Sequence, residues 1–93
     1  MSVASVAEGV ERLDGQDFAI LDLNLPDGLG TLVLGRIRNE KRAIRVAVTT
    51  GTSDAALLAE TRRLGPELIL RKPIDISALL AWIEGIEATK GAG

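Results

Sequence analysis

One stretch, Phe18-Ala19-Ile20-Leu21-Asp22-Leu23-Asn24-Leu25-Pro26-Asp27-Gly28, constrains this chain more than any other. Four apolar residues run directly into a carboxylate, and Pro26-Asp27-Gly28 then turns the chain away. A continuous apolar run bounded by turn residues reads as a strand buried on both faces, as in a parallel sheet. In open α/β sheets the chemistry collects outside the carboxyl ends of the strands, which is where Asp22 falls. Asp22 is equally suited to capping or ending a strand, and this stretch alone leaves both roles open.

The remaining elements follow from periodicity and punctuation. Ser5 to Leu13 places Val6, Val10 and Leu13 at helical spacing, and Gly15 suits the left-handed position after that helix. A strand is expected from Asp17 to Leu23, then a turn at Pro26-Asp27-Gly28. A helix is expected from Gly30 to Glu40 with Leu32, Val33 and Ile37 as its buried stripe. Arg45 to Thr50 is a second apolar run ending at Gly51. Ser53 or Asp54 can cap a third helix through Leu57, Leu58, Thr61 and Leu64, closed by Gly65-Pro66. Glu67 to Leu70 is a third strand leading to Arg71-Lys72-Pro73. Asp75 caps a last helix in which Ile76, Leu79, Leu80, Ile83 and Ile86 repeat at three and four, with a frayed tail expected from Thr89. Strands alternating with helices imply right-handed crossovers and a three-layer α/β domain around a parallel sheet.

Composition narrows the function. The 93 residues suit one small domain spanning 1–93, and a domain of this size gains from a partner because it buries a modest share of its surface. A net charge of -2 suggests neither a nucleic-acid surface nor a polybasic membrane patch. Phe18 and Trp82 are the two aromatics, too few for a platform that stacks single-stranded bases. No apolar run approaches the length of a membrane span, and Met1 to Gly15 is too polar for a signal peptide. With neither cysteine nor histidine, the chain has no disulfide, thiolate, imidazole base or usual zinc ligand set. The lack of cysteine fits a cytoplasmic protein.

Three strand ends carry three distinct groups, Asp22, Thr50 and Lys72. Parallel strands bring such ends together although they are distant in sequence. A carboxylate beside an ammonium and a hydroxyl can act on phosphoryl groups. The carboxylate is the nucleophile, and the other two stabilise charge on the phosphoryl oxygens. Taken singly, Lys72 reads as a solvated side chain and Thr50 as a strand-end cap. All three together favour a site.

This pattern resembles the receiver domain of two-component response regulators, the CheY-like family. Asp22-Leu-Asn-Leu-Pro26 matches the phosphoacceptor Asp followed by Pro four residues later. The resemblance implies that Asn24 offers its main-chain carbonyl to Mg²⁺, with Asp22 as the other ligand. Thr50-Gly51 matches the hydroxyl residue that contacts the phosphoryl group, and Lys72-Pro73 the Lys-Pro pair, typically joined by a cis peptide bond. The fold implied is a CheY-like sheet of order 2-1-3-4-5.

Two departures shape the expectations. A full receiver opens with a strand ending in an acidic pair, followed by a helix and a second strand. Here the chain is expected to be truncated, with Met1 to Ala4 holding the tail of that second strand at most. Without the pair, Mg²⁺ binding is expected to be weak and phosphotransfer from a histidine kinase impaired. The family's aromatic three residues before the Lys is Ile69 here, so the usual readout is expected to be blunted. The strand at Phe18 to Leu23 is then expected to be an edge, inviting another chain to pair with it. The apolar stripe of the last helix would also be uncovered. A homodimer, or pairing with a receiver-like chain, is expected through Phe18, Ile20, Leu79, Leu80 and Ile83. Trp82 either touches that partner or covers the flank of its own helix.

The leading reading is a receiver-like signalling module that acts by protein contacts and is not an enzyme. The alternative is a phosphorylation-competent single-domain regulator. A small phosphatase would need a second acid or base, for which Asp27 is the nearby candidate. A nucleotide-binding fragment lacks a Gly-rich phosphate loop after any strand, and a DNA-binding effector needs a further domain.

Overall fold

The computed structural model describes residues 1–92, with side chains through residue 88. In chain order the elements are β1 (Ser2–Val3), α1 (Val6–Glu11), β2 (Phe18–Asp22), β3 (Asn24–Leu25), β4 (Gly28–Leu29), α2 (Gly30–Asn39), β5 (Arg45–Thr50), α3 (Ala55–Arg63), β6 (Leu68–Arg71) and α4 (Ile76–Ala92). The main sheet has the order β1-β2-β5-β6, and all its pairings are parallel. The α/β architecture with a parallel central sheet is therefore as expected.

Alternation along β2 divides the molecule. Ala19 and Leu21, with Leu23 just beyond, are completely buried and join Val33, Leu34 and Ile37 of α2 and Val46 and Val48 of β5 in one core. Leu57 and Leu64 of the α3 segment border the same core. Phe18, of the other parity, faces α4, where its ring meets that of Trp82 edge to face with centroids 6.2 Å apart. Trp82 therefore covers the join between α4 and β2.

Several expectations are corrected. β2 is not an edge, because Ser2 and Val3 pair with Ile20 and Leu21 on its free side. The Ile20 N–H donates to the Met1 carbonyl at 2.7 Å, and the Met1 ammonium donates to the Phe18 carbonyl at 3.0 Å. An apolar strand with unpaired backbone groups is costly to leave open, and the first three residues supply those partners. In the family order quoted above, the second and third strands are separated by the first. Here β1 lies directly against β2. Leu32 is 58% exposed and Leu34 takes its place in the buried stripe, because positions 30, 33, 34 and 37 share one helix face. The segment expected to fray is helical through Ala92, and Gly93 lies outside the described residues. Among the described residues, no helix is long and apolar enough to cross a membrane.

The Pro26-Asp27 turn also does more than reverse the chain. It closes a two-stranded antiparallel hairpin in which Asn24 pairs with Leu29 and Leu25 with Gly28. The Gly30 N–H returns to the Leu23 carbonyl at 2.8 Å and pinches the hairpin at its base.

Candidate functional site

The ends of β2, β5 and β6 converge because their ladders are in register. Asp22 pairs with Thr49, and Thr50 pairs with Arg71. The Lys72 N–H then donates to the Thr50 carbonyl at 2.8 Å, fixing Lys72 one residue beyond β6. From there its side chain runs past Gly51, where a Cβ would stand 3.7 Å from Lys72 Cδ. Its ammonium reaches Asp22 Oδ2 at 2.6 Å. The Lys72-Pro73 bond is cis.

Asp22 and Lys72 thus meet across 50 residues of sequence. Both side chains remain accessible, at 31% and 47% exposure. An ion pair this wet contributes only about 0–1 kcal/mol to stability. Its consequence is chemical. The second oxygen of Asp22 accepts the Asn24 N–H at 3.0 Å. Burial acts to raise the Asp22 pKa, but the Lys72 hydrogen bond, the Asn24 amide and the Lys72 charge outweigh it. The carboxyl therefore titrates below the ordinary Asp range and stands ionised at neutral pH. An ionised carboxylate open to solvent, with an ammonium on one oxygen, can attack an electrophile and have the developing charge stabilised.

Thr50 lies at the end of β5, fully buried, and its hydroxyl accepts the Thr52 N–H at 3.0 Å. It stands beside the pair without bonding to either member. Asn24 meets Asp22 through its N–H. Both Asp22 oxygens are already engaged, and among the described residues no group of three or more acids, imidazoles or thiols could hold a metal.

Asp27 is the clearest correction to a candidate role. Its carboxylate accepts the N–H groups of Val6 at 2.6 Å and Ala7 at 3.1 Å, at the start of α1. These two bonds hold its pKa below the usual range. It is a helix cap supplied from a distance, not a free acid or base for hydrolysis. Residue spacing carries no sign of this, since cap and helix are about twenty residues apart. Arg38 was equally silent in sequence. Its guanidinium donates to the carbonyls of Ile44, Leu64 and Gly65 and to the Glu67 carboxylate, tying the end of α2 to the turn before β6.

Of the residues expected at a dimer contact, Phe18, Ile20, Leu79 and Ile83 are half-buried and Leu80 is 52% exposed.

A parallel sheet with helices packed on it and an accessible, lysine-paired carboxylate at its strand ends is the arrangement to be matched. The response regulator receiver domain model matches residues 1–84, and the chain belongs to that family. The acid tolerance regulatory protein ActR of Rhizobium meliloti (strain 1021) is 35% identical over 79 residues, covering 83% of this chain and 41% of that protein. ActR of Sinorhizobium medicae (strain WSM419) matches to the same extent. This chain thus spans about two-fifths of the curated relatives it matches. Among solved structures, an N-terminal domain from Wolinella succinogenes superposes with a TM-score of 0.84 at 28% identity, covering 95% of this chain and 73% of that one. A CheY-like receiver domain from Methanospirillum hungatei JF-1 gives 0.79 at 22% identity, covering 97% and 74%. At that identity the likeness concerns the fold alone.

Proposed function

We propose that this receiver domain works in two-component signalling through protein contacts, and that Asp22 is phosphorylated poorly or not at all. One observation carries the proposal. Both oxygens of the reactive carboxylate are engaged by protein groups, and among the described residues no group of three or more acids, imidazoles or thiols gathers to hold a metal. Phosphoryl transfer needs charge neutralised on the equatorial oxygens, and Lys72 alone supplies a single ammonium. A histidine kinase is then a binding partner for which this domain competes with other receivers. Incubation with acetyl phosphate and Mg²⁺, followed by intact-mass measurement, is expected to leave the protein unmodified. A stoichiometric adduct that disappears in Asp22→Asn would overturn this and establish a phosphorylation-competent receiver.

A second copy of the chain is the partner proposed for the outer face of α4. Ile76 and Leu80, one turn apart, are 59% and 52% exposed, with half-buried Leu79 and Ile83 beside them. Apolar side chains on successive turns are costly to leave in water. Sedimentation velocity at micromolar concentration is expected to show a dimer that dissociates in Leu80→Glu. A monomer throughout that range would refute the pairing.

A further inference from the structure

The Asn24–Leu29 hairpin touches the signalling carboxylate at one end and a helix at the other. At its base, the Asn24 N–H donates to Asp22 Oδ1 at 3.0 Å. There too, Gly30 is pressed so closely on β2 that an added Cβ would lie 2.4 Å from the Asp22 carbonyl oxygen. At its tip, the Asp27 carboxylate takes the first two amides of α1. The next amide, Glu8 N–H, goes to the N-cap Ser5 hydroxyl at 3.0 Å, and Gly9 N–H goes to the Ser5 carbonyl at 3.0 Å. Gly9 thereby makes the first bond within the helix, and the three amides before it, Val6, Ala7 and Glu8, are satisfied by side chains, two of them by the hairpin alone.

Helix α1 needs that help. It has six residues, far below the length at which a helix holds itself in water. Its other anchor is Gly9, where a Cβ would meet Val3 Cγ1 at 2.9 Å and Val33 Cγ2 at 3.0 Å, so the helix is wedged between β1 and α2. The hairpin is short and paired throughout, and Gly28 at its second strand would meet Val6 Cγ2 at 3.4 Å if given a Cβ. A displacement at Asn24 cannot be absorbed by slack before it reaches Asp27.

We propose that the β3–β4 hairpin is a strap coupling the state of the Asp22 carboxylate to the docking of α1. Whatever engages Asp22 Oδ1 competes with the Asn24 N–H, shifts the base of the strap and loosens Asp27 from Val6 and Ala7. Reciprocally, a partner that pulls on α1 alters the hydrogen bonding of Asp22, as linkage requires. Asp27 is a positioning residue in this scheme. The strap draws its signalling meaning from Asp22 as the receiver's reactive carboxylate. Its test uses no phosphoryl donor, so failed coupling and failed phosphorylation give separate results.

Amide hydrogen exchange of Val6 and Ala7 in the intact chain reads the docking directly. Asp27→Ala is expected to speed exchange at both amides about fivefold, the usual consequence of losing a helix cap. Asp22→Ala is expected to speed the same amides about twofold, as for one lost hydrogen bond. Asp22→Asn, which keeps an acceptor for the Asn24 N–H, should leave them near wild type. The Asp22→Ala effect should vanish once Asp27 is already alanine. If Asp27→Ala unfolds the helix outright, Asp27→Asn provides the milder background for the same cycle. Unchanged Val6 and Ala7 exchange in Asp22→Ala, or an equal factor with and without Asp27, would refute the coupling.

Discussion

Gly30→Ala is expected to lower the free energy of unfolding by roughly 3 kcal/mol, at the upper end of ordinary overpacking penalties. The methyl group would stand 2.4 Å from the Asp22 carbonyl oxygen, 3.2 Å from its carbon and 3.3 Å from Leu23 Cα. All three are backbone atoms, so no side chain can swing aside. The backbone there is held from both sides. The Leu23 N–H donates to the Thr49 carbonyl at 2.9 Å, and the Gly30 N–H donates to the Leu23 carbonyl at 2.8 Å. Relief requires moving the start of α2 away from β2, with Val33, Leu34 and Ile37 all completely buried behind it. For a small domain stable by about 5–15 kcal/mol, that is a large fraction. The check is a urea titration against Gly35→Ala, where an added Cβ has no neighbour within 4 Å. That control should be neutral or gain up to about 1 kcal/mol from helix propensity. Equal midpoints for the two variants would show that α2 does not pack as described.

The contrast between Gly30 and Asp22 shows what was legible from residues alone. Asp22, Thr50 and Lys72 were readable because each ends an apolar run, and parallel strands must bring such ends together. Period and punctuation are local properties, and they placed the helices and strands to within a few residues. Gly30 read only as the start of a helix, since nothing in sequence reports how closely two backbones pass. Asp27 and Arg38 were opaque for a related reason. Their partners are backbone amides and carbonyls, which every residue carries, so the side chain's identity says little about where it goes. The position of β1 was hidden by length. Two paired residues show no alternation, and their placement beside β2 follows from the hydrogen-bonding needs of a neighbour fifteen residues away. Leu32 was misjudged because it and Leu34 flank Val33 in a run of three apolar residues, and either could complete the stripe until packing selected Leu34.

Leu21→Ala carries the other large expected effect, a loss of about 3–4 kcal/mol, within the range for leucines truncated in a tight core. Leu21 is completely buried at the centre of β2, between Val3 on one side and Val48 on the other, in matched register with both. Its substitution also tests the least anticipated feature of the fold. If β1 lies against β2, Val3 and Leu21 share a face of the sheet and one packing environment, and truncating one reduces what the other can lose. Val3→Ala and Leu21→Ala should then combine non-additively, by at least about 0.5 kcal/mol in a double-mutant cycle from denaturant melts. Val3 is 6% exposed, so its own truncation should be measurable. Pairing Val3→Ala with Leu58→Ala, a 7% exposed residue of α3 outside that core, provides the additive reference. Strict additivity for Val3 with Leu21 would return β2 to the sheet edge and reopen it to strand pairing by another chain. Coupling would place β1 against β2 and close that side of β2 to strand pairing.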